Sequence, residues 1–139
     1  MIKKLIMSLI IVVFAVSTYA NETISVYPQN TQIKEAFVLF YMSTCPHCQR
    51  FDPVLRSYAE THSIPVLAYT LDGISLPSFP NSIYPTDVEV RHFFPDAPPE
   101  VPTLYLMDIE THKIIPVLQG EASADQLAMR MQEIQQSLT

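Results

Sequence analysis

The sequence predicts an α/β fold with a central mixed four-stranded sheet flanked by helices. Three observations predict it. A continuous apolar run, Ala36–Met42, is followed at once by a helical pattern and then by a second strand-like run, an order that calls for a parallel crossover. Two later apolar runs are separated only by a polar turn, which reads as an antiparallel hairpin. The chain then finishes with an amphipathic helix.

The elements follow in order. At 139 residues the chain suits one domain. Lys3 and Lys4, the apolar run Leu5–Val16 broken only by Ser8, and the small residue Ala20 have the order of a secretory signal cleaved after Ala20. The run is shorter than the ~20 apolar residues that span a bilayer, which ranks an uncleaved membrane anchor second. Residues 21–35 are a polar leader, and the domain is expected over 36–139. Ala36–Met42 has no polar alternation, so it reads as a strand buried on both faces. Phe51, Val54, Leu55 and Tyr58 then recur at helical spacing. Pro46 suits the first turn of that helix, and Pro53, deeper in, is expected to kink it.

Pro65–Leu71 returns to strand composition, and Asp72–Pro85 is an irregular loop rich in proline. Phe79 and Tyr84 in this loop have two readings, lining a substrate groove or covering the sheet edge. Thr86 and Glu89 have capping-box spacing, which predicts a short helix to about Phe94, stopped by Pro95, Pro98 and Pro99. Strands follow at Leu104–Met107 and Lys113–Leu118 around the turn Asp108–His112. After Gly120, Ser123 and Gln126 repeat the capping-box spacing, and Leu127, Met131, Ile134 and Leu138 mark the buried stripe of the last helix.

A formal net charge of −6 argues against nucleic acid as a partner, because an acidic domain repels phosphate backbones. Loss of Lys3 and Lys4 with the signal makes the remainder more acidic still. The chain has two cysteines, Cys45 and Cys48, in the sequence Cys45-Pro46-His47-Cys48. A bridge between them closes too small a ring to stabilise a fold much. A zinc site needs about four ligands, and His62, His92 and His112 do not have ligand spacing. Redox exchange remains.

Cys45 sits between a buried strand and a helix start, where unpaired N–H groups and the helix dipole favour a thiolate. Cys48 lies one helical turn on, placed to donate to the Cys45 sulfur and to resolve a mixed disulfide. His47 stands between them, and its imidazole can support the thiolate by charge or hydrogen bonding. No cofactor is needed, because the disulfide itself carries the electrons.

Val38-Leu39-Phe40-Tyr41 before Cys45-Pro46-His47-Cys48, Pro53 beyond it, and Val101-Pro102-Thr103-Leu104 together resemble the thioredoxin fold. The resemblance implies a cis Pro102 facing the cysteines, with Val101 offering its backbone to an extended substrate strand. Within that superfamily, Cys45–Leu55, Leu71-Asp72-Gly73 with Leu76-Pro77-Ser78-Phe79-Pro80, and Val101–Leu106 resemble the periplasmic thiol–disulfide proteins of conjugative, type IV secretion systems, the TrbB/TraF group.

That resemblance implies a periplasmic disulfide oxidoreductase or isomerase. Its expected partners are exported cysteine-containing proteins, pilus or mating-channel components among them, together with a periplasmic or membrane redox partner. A monomer is expected. The Pro46-His47 dipeptide is that of the strongly oxidising periplasmic oxidase DsbA, but Gln49–Val101 is too short for that enzyme's helical insertion. Ordinary thioredoxins carry a tryptophan before the first cysteine and an acid in the preceding strand. Here Thr44 precedes Cys45 and Ala36–Met42 has no carboxylate, which leaves Cys48 without an evident acid–base partner. Oxidase, isomerase and reductase directions remain open on these residues. A thiol reductant for cytochrome c maturation and a redox-independent assembly factor are the rival readings.

Overall fold

The computed structural model describes residues 34–138. The expected signal at 1–20 and nearly all of the 21–35 leader lie outside the described residues. Within them the order is β1 (Glu35–Tyr41), α1 (Pro46–His62), β2 (Val66–Thr70), α2 (Asp87–Phe93), β3 (Thr103–Asp108), β4 (Ile114–Gln119) and α3 (Ala124–Leu138). The strands form one sheet in the order β2-β1-β3-β4. β1 pairs parallel with β2 and antiparallel with β3, and β3 pairs antiparallel with β4. This is the mixed, thioredoxin-like sheet expected. The strand β1 starts one residue earlier than the apolar run, because Glu35 still pairs with Asp108.

Being central explains the composition of β1. Ala36 through Tyr41 are all buried, and the one polar group among their side chains, the Tyr41 hydroxyl, is hydrogen-bonded. Alternate residues serve opposite faces. Phe37, Leu39 and Tyr41 join a core with Phe51, Leu55 and Ala59 of α1 and with Leu127, Met131 and Ile134 of α3. Val38 and Phe40 join a second core with Tyr69, Phe93 and Tyr105, which α2 closes. There the Phe40 ring stacks on Tyr69 at 4.9 Å and meets Phe93 at 5.1 Å.

Local chemistry sets the ends of the elements. The α2 capping box is complete, with Thr86 Oγ1 accepting from Glu89 N and the Glu89 carboxylate accepting from Thr86 N. Ser123 and Gln126 make the same reciprocal pair before α3. The helix α1 continues past Pro53, which has no N–H to offer the preceding turn. Pro116 is tolerated in β4 because that strand lies at the edge, where the register shifts opposite Leu104 and Tyr105.

The 72–85 loop folds back on the sheet. Thr70 N donates to Ile83 O at 2.9 Å and Ile83 N to Ala68 O at 3.1 Å, so the loop covers the open edge of β2. The Tyr41 hydroxyl donates to Ser82 Oγ at 2.7 Å and accepts from Leu76 N at 3.2 Å, which fixes the loop to β1. Phe79 is buried in the α1 core, whereas Tyr84 is exposed. The two aromatics paired in the sequence reading therefore have different settings.

Candidate active site

The turn Met42–Thr44 carries the chain from the end of β1 into α1, and Cys45 is the N-cap of that helix. Its sulfur accepts from Cys48 N at 3.4 Å, so one of the unpaired helix-start donors points at the reactive atom. Cys45 thus stands at the strand–helix junction read from the sequence. Cys45 is partly exposed and Cys48 is buried. Burial, reinforced by a hydrogen bond to Cys45, pushes the Cys48 thiol up to about 12. The pair is therefore asymmetric, with an accessible sulfur on an N-cap and a neutral buried thiol one turn behind it.

The Val101–Pro102 peptide is cis. The Cys45 thiol lies 3.9 Å from the Val101 carbonyl, to which it donates. The two residues precede the ladder of β3, which begins at Thr103. Cys45, Cys48, Val101 and Pro102 thus lie at one end of the sheet.

His47 is also there, but not alone. Its Nδ1 lies 3.2 Å from Glu121 Oε1 and 3.0 Å from Arg50 Nη2. One ring nitrogen cannot donate and accept through the same site. A protonated Nδ1 donates to Glu121, whereas a neutral one with its proton on Nε2 accepts from Arg50. Arg50 also grips both oxygens of Glu121, at 2.7 Å from Nε and 3.0 Å from Nη2. The Arg50 hydrogen bond, with a contribution from His47, holds the Glu121 carboxyl below its ordinary range. The same pairing raises Arg50, to which the charge of Cys45 adds.

Asp72 organises the turn that presents Cys45. Its Oδ2 accepts from Ser43 N at 2.7 Å, Ser43 Oγ at 2.8 Å and Thr44 N at 3.3 Å. Its Oδ1 accepts from Thr70 Oγ1 at 2.8 Å and Ile74 N at 3.3 Å. Desolvation alone would raise this carboxyl, but the donors from Thr70, Ser43 and Ile74 outweigh it and hold it at about 2. Gln49 Nε2 closes the turn from the other side by donating to Ser43 O at 2.7 Å.

Asp52 is a further surprise. It is the one charged side chain buried among the described residues, one turn after Cys48 on the same helix. Its Oδ2 accepts from Ser78 N at 3.2 Å, and its Oδ1 has no partner.

Four side chains near the cysteines were therefore not singled out from sequence. Asp72, Arg50 and Asp52 stand in stretches that carry the resemblance, but the role of Asp72 depends on Ser43 and Thr44 coming to it across the sheet. Arg50 and Glu121 meet from positions far apart in the chain, which no local pattern reveals. Asp52 had a readable signal, because it falls on the helical stripe of Cys48, Phe51, Leu55 and Ala59.

A family model described as TraF: F plasmid transfer operon protein matches residues 15–132. Protein TrbB of Escherichia coli (strain K12) is 38% identical over 100 residues, covering 71% of this chain and 55% of that protein. The chain thus spans about half the length of the curated relative it matches. Among solved structures, a Chlorobium tepidum protein described as a thiol:disulfide interchange protein DsbE superposes with a TM-score of 0.53 at 17% identity. That match covers 74% of this chain and 79% of the other, and is a likeness of fold.

Proposed function

The chain belongs to the TraF family of F plasmid transfer operon proteins, and on that footing we infer that it is a periplasmic thiol–disulfide oxidoreductase or isomerase acting on disulfides of conjugative pilus or type IV secretion proteins. The observation that carries the reading is the asymmetric pair. Cys45 offers an accessible sulfur at a helix N-cap, and Cys48 waits behind it as a buried thiol.

In this mechanism a substrate thiolate attacks Cys45 of the Cys45–Cys48 disulfide. A mixed disulfide forms at Cys45, and Cys48 takes the departing electron pair with a proton. A second substrate thiolate then attacks its partner sulfur, Cys45 leaves as thiolate, and the substrate keeps the new disulfide. The helix-start N–H of Cys48 stabilises that leaving thiolate. In the reverse direction Cys45 attacks a substrate disulfide and Cys48 releases the product. Isomerisation combines the two halves. Val101 holds the substrate beside Cys45 through its backbone, which lies outside the β3 ladder, and the cis peptide to Pro102 turns that backbone toward the cysteine. His47 tunes the thiolate through its exchangeable contacts with Arg50 and Glu121. Cleavage of the signal after Ala20 would deliver the domain to the periplasm.

The test is capture of substrates. A Cys48→Ser variant cannot release a mixed disulfide, so in a mating strain it should trap exported cysteine-containing transfer proteins through Cys45 as bands lost on reduction. A Cys45→Ser variant should trap none. If the double Cys45→Ser, Cys48→Ser variant fully restored mating to a deletion strain, the redox reading would fail in favour of an assembly role.

A further inference from the structure

Three polar side chains from two separated parts of the chain meet around His47, which stands between the two cysteines. His47 and Arg50 come from the first turn of α1, and Glu121 comes from the junction of β4 and α3. The placement of Glu121 is built into the fold. The preceding Gly120 has φ +91°, a backbone region costly for other residues, and its N–H donates to Pro102 O at 2.7 Å. Glu121 is thereby fastened next to the loop whose Val101 carbonyl meets the Cys45 thiol. Its carboxylate lies across Arg50 with both oxygens engaged.

We propose that Glu121 is a positioning residue that sets the reduction potential of the pair, by holding and neutralising the cationic charge of Arg50 beside Cys45. The proposal rests on the redox reading above and deepens it. Reduction of the Cys45–Cys48 disulfide by two glutathione thiols yields one glutathione disulfide. Two electrons pass to the protein pair. Of the two protons released, one goes to Cys48 and one to solvent when Cys45 leaves as a thiolate.

Any cation left uncompensated beside Cys45 stabilises that reduced form and makes the disulfide more oxidising. Arg50 is such a cation, and Glu121 opposes it. Without Glu121 the pair shifts toward an oxidant; without Arg50 the stranded Glu121 shifts it toward a reductant. The groups are solvent-exposed, so the effect is modest and sensitive to salt.

The experiment is equilibration of the full protein with glutathione, comparing the native sequence with Glu121→Gln, Glu121→Asp and Arg50→Gln. Glu121→Gln should favour the reduced form by about two- to threefold, which is roughly 9–14 mV at 29.6 mV per tenfold. Arg50→Gln should move the equilibrium the opposite way, and Glu121→Asp should restore much of the native value. In 1 M salt, where the Debye length is about 3 Å, the differences should shrink.

A merely structural clamp predicts that breaking it from either side has the same effect. Shifts of the same sign, or no shift in Glu121→Gln, would overturn the proposal while leaving the redox reading intact. Failure of the native protein to form the Cys45–Cys48 disulfide would instead overturn the reading itself, and the proposal with it.

Discussion

Replacing Asp72 by Asn tests how the fold holds its reactive turn. The native carboxylate accepts five hydrogen bonds, from Ser43 N and Oγ, Thr44 N, Thr70 Oγ1 and Ile74 N. An asparagine has one acceptor oxygen, and its NH2 must face a donor set it cannot satisfy. The carboxyl is held at about 2, against an ordinary 3.8. At about 1.36 kcal/mol per pH unit this corresponds to roughly 2 kcal/mol, and to about 1–2 kcal/mol once solvent screening of a partly exposed group is allowed for.

The sign follows from the depressed value. The contribution is complete above about pH 4 and is lost as the pH falls toward 2. Urea unfolding of the oxidised protein at pH 7 should therefore show Asp72→Asn less stable by about 1–2 kcal/mol. Between pH 4 and 2 the native protein should lose that advantage, and the two curves should converge. Equal stability at pH 7, or a constant gap down to pH 2, would refute the argument that the charged acceptor holds the Ser43–Thr44 turn.

Other consequences can be checked more quickly. With Cys48 buried and its thiol pushed up to about 12, iodoacetamide at pH 7.5 should label the folded, reduced protein once, at Cys45, and peptide mass spectrometry after denaturation should find Cys48 free to react. The reduced form should lose stability as the pH rises from 9 toward 12, because the unfolded Cys48 ionises first; the oxidised form lacks this loss, and parallel alkaline melts of the two forms compare them. Thr86→Ala removes one half of the α2 capping box and should cost about 1 kcal/mol in thermal unfolding. Phe40→Ala empties the centre of the second core and should cost about 3–5 kcal/mol by urea titration.

The elements were legible because local rules and burial agree in them. Ala36–Met42 lacks polar alternation because β1 lies second in the sheet, packed on both faces. The capping residues Thr86 and Ser123 mark helix starts through contacts three residues long, which sequence records directly. The cysteines could be read for the same reason, since a turn of helix fixes their spacing. The setting around them could not. Asp72 reaches Ser43 only because β2 lies beside β1 in parallel register, and Glu121 reaches Arg50 only after β4 returns along β3. Pro102 was placed by resemblance, not by local pattern, because nothing in its neighbours distinguishes a cis bond from a trans one.

The most direct test of the account is the equilibrium between Cys45–Cys48 and glutathione, read by quenching with a thiol-reactive label and counting free cysteines. The account predicts a single two-electron transition between dithiol and intramolecular disulfide, with a potential between about −120 and −270 mV, the span of working oxidoreductases. No intramolecular disulfide, or one below about −300 mV that resists reduction as structural bridges do, would contradict it.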